Sequence, residues 1–178
     1  MPRWLLALGL LLGFAAPRLA RATDDPVLRI DGEAGYACYG EDRRYHGMFA
    51  SAEAAYAWNT LFAVRGGYGL GVHRSKGDAF EIHQVSAGLR YQLDVFTYVP
   101  WVDLSPAVYF RSGEGGPADD VTGGVAVGLG FDYLFDPAWS LGFAAHYHQM
   151  LGADRFPAYL TLGLRLGHRF VIGDPFGD

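Results

Sequence analysis

The sequence predicts an all-β protein: one eight-stranded antiparallel up-and-down transmembrane β-barrel, preceded by a cleaved signal peptide. Three observations carry this prediction. Apolar and polar residues alternate with period two along most of the chain after residue 22. The connections between these segments alternate between tight turns and longer polar loops. Large aromatic side chains gather beside the tight turns and leave Leu, Val and Ala in between.

Composition sets the outer limits. The chain has 178 residues, the size of one domain. Hydrophobic residues make up 51% and charged residues 19%, which excludes an intrinsically disordered chain. The 25 glycines are spread through the patterned segments, not collected in a linker. A single cysteine, Cys38, excludes a disulfide framework or a cysteine zinc cluster. The net charge of −5 argues against a nucleic-acid partner.

The first segment reads as an export signal. Met1-Pro2-Arg3-Trp4 is followed by an apolar run over residues 5–16 and by Ala20-Arg21-Ala22, an A-x-A cleavage site. That run is shorter than the roughly 20 residues a membrane helix needs. The expected division is therefore a signal peptide over 1–22 and a barrel domain over 23–178. Cleavage removes Arg3, Arg18 and Arg21 and leaves 11 basic against 19 acidic side chains, a net charge of −8.

Eight strands follow, over 27–39, 46–58, 62–73, 80–93, 98–110, 123–135, 140–150 and 158–170. Each reaches the roughly 9–11 residues that cross a bilayer at a tilt. The first carries Arg29, Asp31 and Glu33 on one face and Cys38 at its outer end. In the second, propensity alone would make Ala50–Ala57 helical, against the strand pattern. The third sets Phe62, Val64, Tyr68, Leu70 and Val72 against Ala63, Arg65, Gly67, Gly69 and His73. The fourth brings Arg90 to the polar face beside Tyr91. The fifth holds Asp103 and two prolines; Pro106 requires a bulge or a locally broken ladder, because a closed barrel has no edge. The sixth places Val125, Val127, Leu129, Phe131, Tyr133 and Phe135 opposite Gly124, Ala126, Gly128, Gly130 and Asp132. The seventh carries His146 and His148 on one face. In the eighth, Leu160, Leu162, Leu164, Leu166 and Phe170 oppose Thr161, Gly163, Arg165 and Arg169.

Alternation alone leaves the direction of the apolar face open, and a soluble lipocalin-like periplasmic barrel would turn it inward. The aromatic residues favour lipid. Trp58, Phe62, Tyr91, Tyr98, Tyr133, Phe135, Trp139 and Phe170 all fall near the short turns, like an interfacial girdle. The opposite face then points inward with Arg29, Asp31, Glu33, Glu53, Arg65, Arg90, Asp103, Arg111, Asp132, Arg165 and Arg169. Charges of both signs in a bore that side chains can fill predict an ion-paired plug. The glycines on that face, among them Gly67, Gly69, Gly128, Gly130 and Gly163, leave room for long side chains.

With this pattern the chain resembles the small Gram-negative outer-membrane barrels of the OmpA/OmpX type. The resemblance rests on Tyr98-Val99-Pro100-Trp101-Val102-Asp103-Leu104, on Gly128-Leu129-Gly130-Phe131-Asp132-Tyr133 with Asp136-Pro137-Ala138-Trp139, and on Leu164-Arg165-Leu166-Gly167-His168-Arg169-Phe170. It implies localisation in the cell outer membrane, outer-membrane lipids and the barrel assembly machinery as partners, and a monomer. It also implies a terminal aromatic signal, placed here at Phe170 ahead of the tail 171–178.

Candidate chemistry is sparse. His146 and His148 are two ligands at most, and His73 or Asp103 would have to complete a metal site. The run His146-Tyr147-His148-Gln149 faintly resembles the His-x-Ser-Asn of lipid A deacylases, but lacks the serine and a following glutamate. Gly66-Gly67-Tyr68-Gly69-Leu70-Gly71 lacks the helix and the Lys-Ser/Thr end of a phosphate loop. Asp119-Asp120 lacks a calcium-binding loop. The expectation is a structural or surface-interaction protein with no catalytic, cofactor-binding or metal residues. A lipid-modifying enzyme and a soluble binding barrel are the alternatives.

Overall fold

A computed structural model describes residues 26–40, 44–75, 78–94, 96–113, 120–151 and 158–172. The signal segment 1–22, residues 173–178 of the tail, and Asp119 lie outside them. Eight strands follow one another: β1 Val27–Gly40, β2 Arg44–Ala57, β3 Phe62–Ser75, β4 Asp78–Gln92, β5 Tyr98–Ser112, β6 Asp120–Leu134, β7 Trp139–Leu151 and β8 Ala158–Val171. Each pairs antiparallel with the next, and β8 pairs with β1 to close a barrel.

The pairing fixes the barrel's shape. Partners lead from Val27 to Ala57, Ala63, Arg90, Asp103, Gly128, His146, Thr161 and back to β1 at Ala37, ten residues beyond the start. With strands about 4.8 Å apart and a rise of about 3.3 Å per residue, that stagger tilts the strands by about 40°. All the residues on this path share the inward face, so the stagger decides which side chains meet across the bore.

Local chemistry sets the turn end. Asn59 Oδ1 accepts hydrogen bonds from the Leu61 and Phe62 amides at 2.8 and 2.7 Å, and Asp136 Oδ1 accepts one from the Ala138 amide at 2.9 Å. Short side-chain acceptors of this kind reverse a chain without a glycine.

Two awkward features of the sequence find their explanation, and one expectation needs adjustment. Residues 50–57 are strand throughout, paired on both sides, so tertiary pairing overrides their helical propensity. At Pro106 the β4–β5 ladder is interrupted between Ser86↔Ala107 and Leu89↔Leu104 and resumes in the same register, while Pro106 stays paired with Val125 of β6. The proline thus breaks the ladder locally without a bulge, because only its missing N–H is lost. At the loop end the strands run further than the polar residues suggest, with Gly40 paired to Arg44 and Ser75 to Asp78. The first two loops shrink to 41–43 and 76–77, and only 113–119 and 152–157 exceed the turns in length. Backbone groups gain ladder partners whatever side chains they carry.

The apolar face points outward. Val102, Leu104, Val127, Leu129, Leu141, Leu164 and Leu166 are 49–67% exposed, whereas a soluble barrel would bury them. Trp58, Phe62, Tyr91, Tyr98, Tyr133, Phe135, Trp139 and Phe170 are also exposed and lie near the turn end. His168 shares this face, wedged between the rings of Trp139 and Phe170 at 4.5 and 4.4 Å.

Candidate functional site

The lumen divides into two layers. In the half nearer the turns, four arginines and four carboxylates form one connected network: Arg29, Arg65, Arg90 and Arg165 with Asp31, Glu53, Asp103 and Asp132. Glu53 sits at its centre, touching Arg65, with Arg90 at 2.7 Å and Arg165 at 2.8 Å. Asp103 meets Arg90 at 3.0 Å and Arg65 at 3.3 Å. Asp31 is held by Arg165 at 2.5 Å and Arg29 at 2.6 Å, and Arg29 reaches Asp132 at 2.8 Å. Seven strands supply these side chains. The eighth, β7, contributes Ser140, whose Oγ accepts from Arg29 at 2.9 Å. Equal numbers of each charge cancel, which is the condition for burying them at tolerable desolvation cost.

Trp101 stiffens this layer. The Arg90 and Arg165 guanidinium carbons lie 4.3 and 4.9 Å from its ring centroid. Close approach explains two glycines here. A Cβ at Gly130 would lie 2.6 Å from the Trp101 ring, and one at Gly128 would lie 2.6 Å from Asp103 Oδ1. At the turn-end mouth, Arg169 binds the Asp94 carboxylate with two hydrogen bonds, of 2.5 and 3.2 Å, tying β8 to the β4–β5 turn.

The half nearer the loops is aromatic. Tyr39, Tyr45, Phe49, Phe80, Ile82, Tyr109, Met150 and Tyr159 form one buried cluster. His73 lies inside it, 5.1 Å from Phe80 and 5.4 Å from Tyr159 between ring centroids. Arg111 donates to the Tyr39 hydroxyl at 2.7 Å. Between the layers lies a cavity of about 20 Å³, lined by Glu33, Gln84, Ser86, His146 and Thr161 among others. It has room for an ordered water and nothing larger.

The structure assigns places to the residues singled out in the sequence. Arg29, Asp31, Glu53, Arg65, Arg90, Asp103, Asp132 and Arg165 come together in the network. Arg111 donates to Tyr39 in the half nearer the loops, and Arg169 reaches Asp94. Glu33 lines the cavity, 3.8 Å from His146 Nδ1. His146 and His148 are buried, 6.0 Å apart by ring centroids, and His148 Nδ1 lies 3.0 Å from the Tyr109 hydroxyl. Among the described residues no group of three or more His, Cys, Asp or Glu is placed to hold a metal ion. The run His146 to Gln149 splits between faces, with the histidines inside and the Tyr147 hydroxyl donating to Gln149 Oε1 outside. Cys38 is a free thiol on the outward face, paired across the ladder with His46. The Gly66–Gly71 run is an ordinary part of β3.

Three features escaped the sequence reading. The aromatic layer was legible in principle, because period two places Tyr39, Phe80, Tyr109 and Tyr159 inward. Asp94 sits in a turn, where no face is defined. An outward polar belt near the loop end was also missed. There the Tyr36 hydroxyl bonds His46 Nδ1, the Tyr68 hydroxyl bonds His83 Nδ1 at 2.6 Å, and Tyr147 bonds Gln149 at 2.8 Å.

Neither a protein-family model nor a curated protein matches the sequence. Solved structures do match the fold. Neisserial surface protein A superimposes with a TM-score of 0.69 at 16% identity, covering 84% of this chain and 99% of that one. Ail, the attachment invasion locus protein of Yersinia pestis, gives 0.57 at 16% identity, over 83% and 100%. The outer membrane protein OprG of Pseudomonas aeruginosa gives 0.56 at 12% identity, over 84% and 97%. The chain is thus an eight-stranded closed barrel with the fold of these outer-membrane proteins.

Proposed function

We propose that this chain is an exported, integral outer-membrane barrel with a structural or surface-interaction role, a lumen closed to solutes, and no catalytic step. Residues 1–22 direct export and are removed. The barrel assembly machinery inserts residues 23–178 as a monomer among outer-membrane lipids. One observation carries the reading: the closed barrel exposes its leucines and valines and encloses a network of eight charged side chains. That inversion is stable only where the surroundings are apolar. Neisserial surface protein A, named for the surface, supports a role there.

The lumen bears on transport. An eight-stranded bore is just wide enough for side chains to fill. Here ion pairs occupy one half and aromatic rings the other. Planar-bilayer recordings of the purified protein should show at most small, infrequent openings. A steady porin-sized conductance would overturn the closed lumen. Amino-terminal sequencing of material from the outer-membrane fraction should begin at Thr23, and recovery of the uncleaved chain there would overturn the export signal.

A further inference from the structure

The cavity between the two lumen layers carries one negative charge in excess. In the network below it, four guanidinium groups balance four carboxylates. Glu33 is a further lumen carboxylate, only 7% exposed, and its one ion-pair contact among the described residues is with His146. Arg165 stands opposite Glu33 across the β1–β8 ladder but turns its guanidinium to Asp31 and Glu53. Arg111 is bound to Tyr39 in the half nearer the loops. His146 Nδ1 lies 3.8 Å from Glu33 Oε1, beyond hydrogen-bond reach, and His146 Nε2 lies 4.0 Å from Asp103. Glu33 Oε1 therefore has no hydrogen-bond partner among the described residues. A buried lone carboxylate is costly unless an opposite charge meets it.

The cavity wall supplies oxygen. One ladder row runs from Glu33 through Ser51 and Gly69 to Gln84, across β1 to β4. Gln84 Oε1 is also buried without a hydrogen-bond partner among the described residues, and Ser86 and Thr161 line the same cavity. A Cβ at Gly69 would lie 2.8 Å from Gln84 Nε2, and one at Gly163 would lie 2.8 Å from Glu33 Oε1. Those two missing side chains leave the space into which Gln84 and Glu33 extend. Arg65 and Arg165 line the cavity as well, but Asp31 and Glu53 cancel them. Hard cations take oxygen ligands, and carboxylate and carbonyl oxygens stand in for their hydration water. A bare sodium or potassium ion is no larger than a water molecule, which a cavity of about 20 Å³ admits. A single excess charge matches a monovalent ion, whereas a divalent one would reverse the imbalance. Ion pairs close one side of the cavity and aromatic rings the other, so an ion there is held and not passed on.

We propose that the lumen binds one monovalent alkali cation, sodium or potassium, between the Glu33 carboxylate and the Gln84 carbonyl oxygen. The site is independent of the membrane reading, because it uses the lumen alone. The test uses the purified barrel in zwitterionic detergent at neutral pH, exchanged into choline chloride, whose cation is too large for the cavity. Sodium, potassium or calcium chloride then replaces choline at fixed ionic strength, and unfolding in urea is followed. The wild-type midpoint should rise with the logarithm of the sodium or potassium concentration, as a ligand of the folded state requires, and should not respond to calcium. Crystals soaked in thallium(I) acetate should show one anomalous peak in contact with Glu33 and Gln84. Glu33→Gln should abolish the cation response and the peak. Gln84→Met keeps the charge and removes the carbonyl oxygen, so it should weaken the cation response by about tenfold in concentration. That variant decides the matter if Glu33→Gln does not fold.

A midpoint indifferent to sodium and potassium, or a lumen without a thallium peak, would each overturn the proposal. So would a stronger response to calcium, or a cation response unchanged in both variants. A wild-type midpoint that follows pH and not the cation, with the pH response lost in Glu33→Gln, would assign the neutralising charge to a proton on Glu33 or His146 and overturn the cation site. Porin-sized conductance would overturn the closed lumen of the previous section, whereas a closed lumen without cation dependence overturns this inference alone.

Discussion

Glu53 shows how much one side chain carries. It meets three guanidinium groups inside the lumen, those of Arg65, Arg90 and Arg165, more than any other carboxylate of the network. Glu53→Ala should therefore cost about 3–5 kcal/mol, the usual penalty for stranding buried charge. Thermal or urea unfolding of the detergent-solubilised barrel would measure it, and an unchanged midpoint would show that the network does not hold the lumen. Gly130→Ala should cost about 1–3 kcal/mol by overpacking against Trp101 and the β7 backbone; the same unfolding measurement applies. The membership of the charged layer was legible from period two, since all eight residues fall on the predicted inward face. Their partners were not. Asp31 stands opposite Glu53 across the β1–β2 ladder, a repulsive pair, and Arg165 from β8 bridges them at 2.5 and 2.8 Å. Such a bridge depends on the ten-residue stagger of the closed barrel, which no local pattern states.

At the scale of elements, β5 and β2 are the instructive strands. In β5 the alternation is unbroken from Tyr98 to Ser112, yet Pro106 leaves a gap in its ladder with β4. Pro106→Ala restores the amide without changing the register, and should add about 0.5–1.5 kcal/mol. Hydrogen exchange should then show a slowly exchanging amide at 106; a freely exchanging one would mean that something other than the proline opens the ladder. In β2 the alanines favour a helix, but a helix here would leave β1 and β3 each unpaired along one edge. Strand boundaries at the turn end were readable because Asn59 and Asp136 punctuate them. At the loop end the polar and glycine residues begin before the pairing stops, so the strands extend past the predicted limits.

For the whole molecule, orientation and lining follow from one inversion: charge inside, hydrocarbon outside. On β5 the outward residues run from Tyr98 through Val102 and Leu104 to Phe110, twelve residue steps along the strand. At the barrel's tilt they cover about 30 Å of height, enough for an apolar band of about 25 Å. The turn-end girdle marks the lower limit of this band, and the tyrosines 36, 68 and 147 with their polar partners mark the upper. The inversion was read from where the aromatic residues fall, since alternation by itself is symmetric between a soluble and a membrane barrel. Lumen layering was less legible, because sequence periodicity orders side chains by face and not by depth. The most direct test is a spin-label scan of β5 in vesicles, one position at a time from 100 to 110, with Cys38 replaced by serine. Oxygen accessibility should peak at positions 102, 104 and 108 and fall at 103, 105 and 107. A reversed period, or a flat profile with every position open to water, would contradict a barrel that meets lipid with its apolar face.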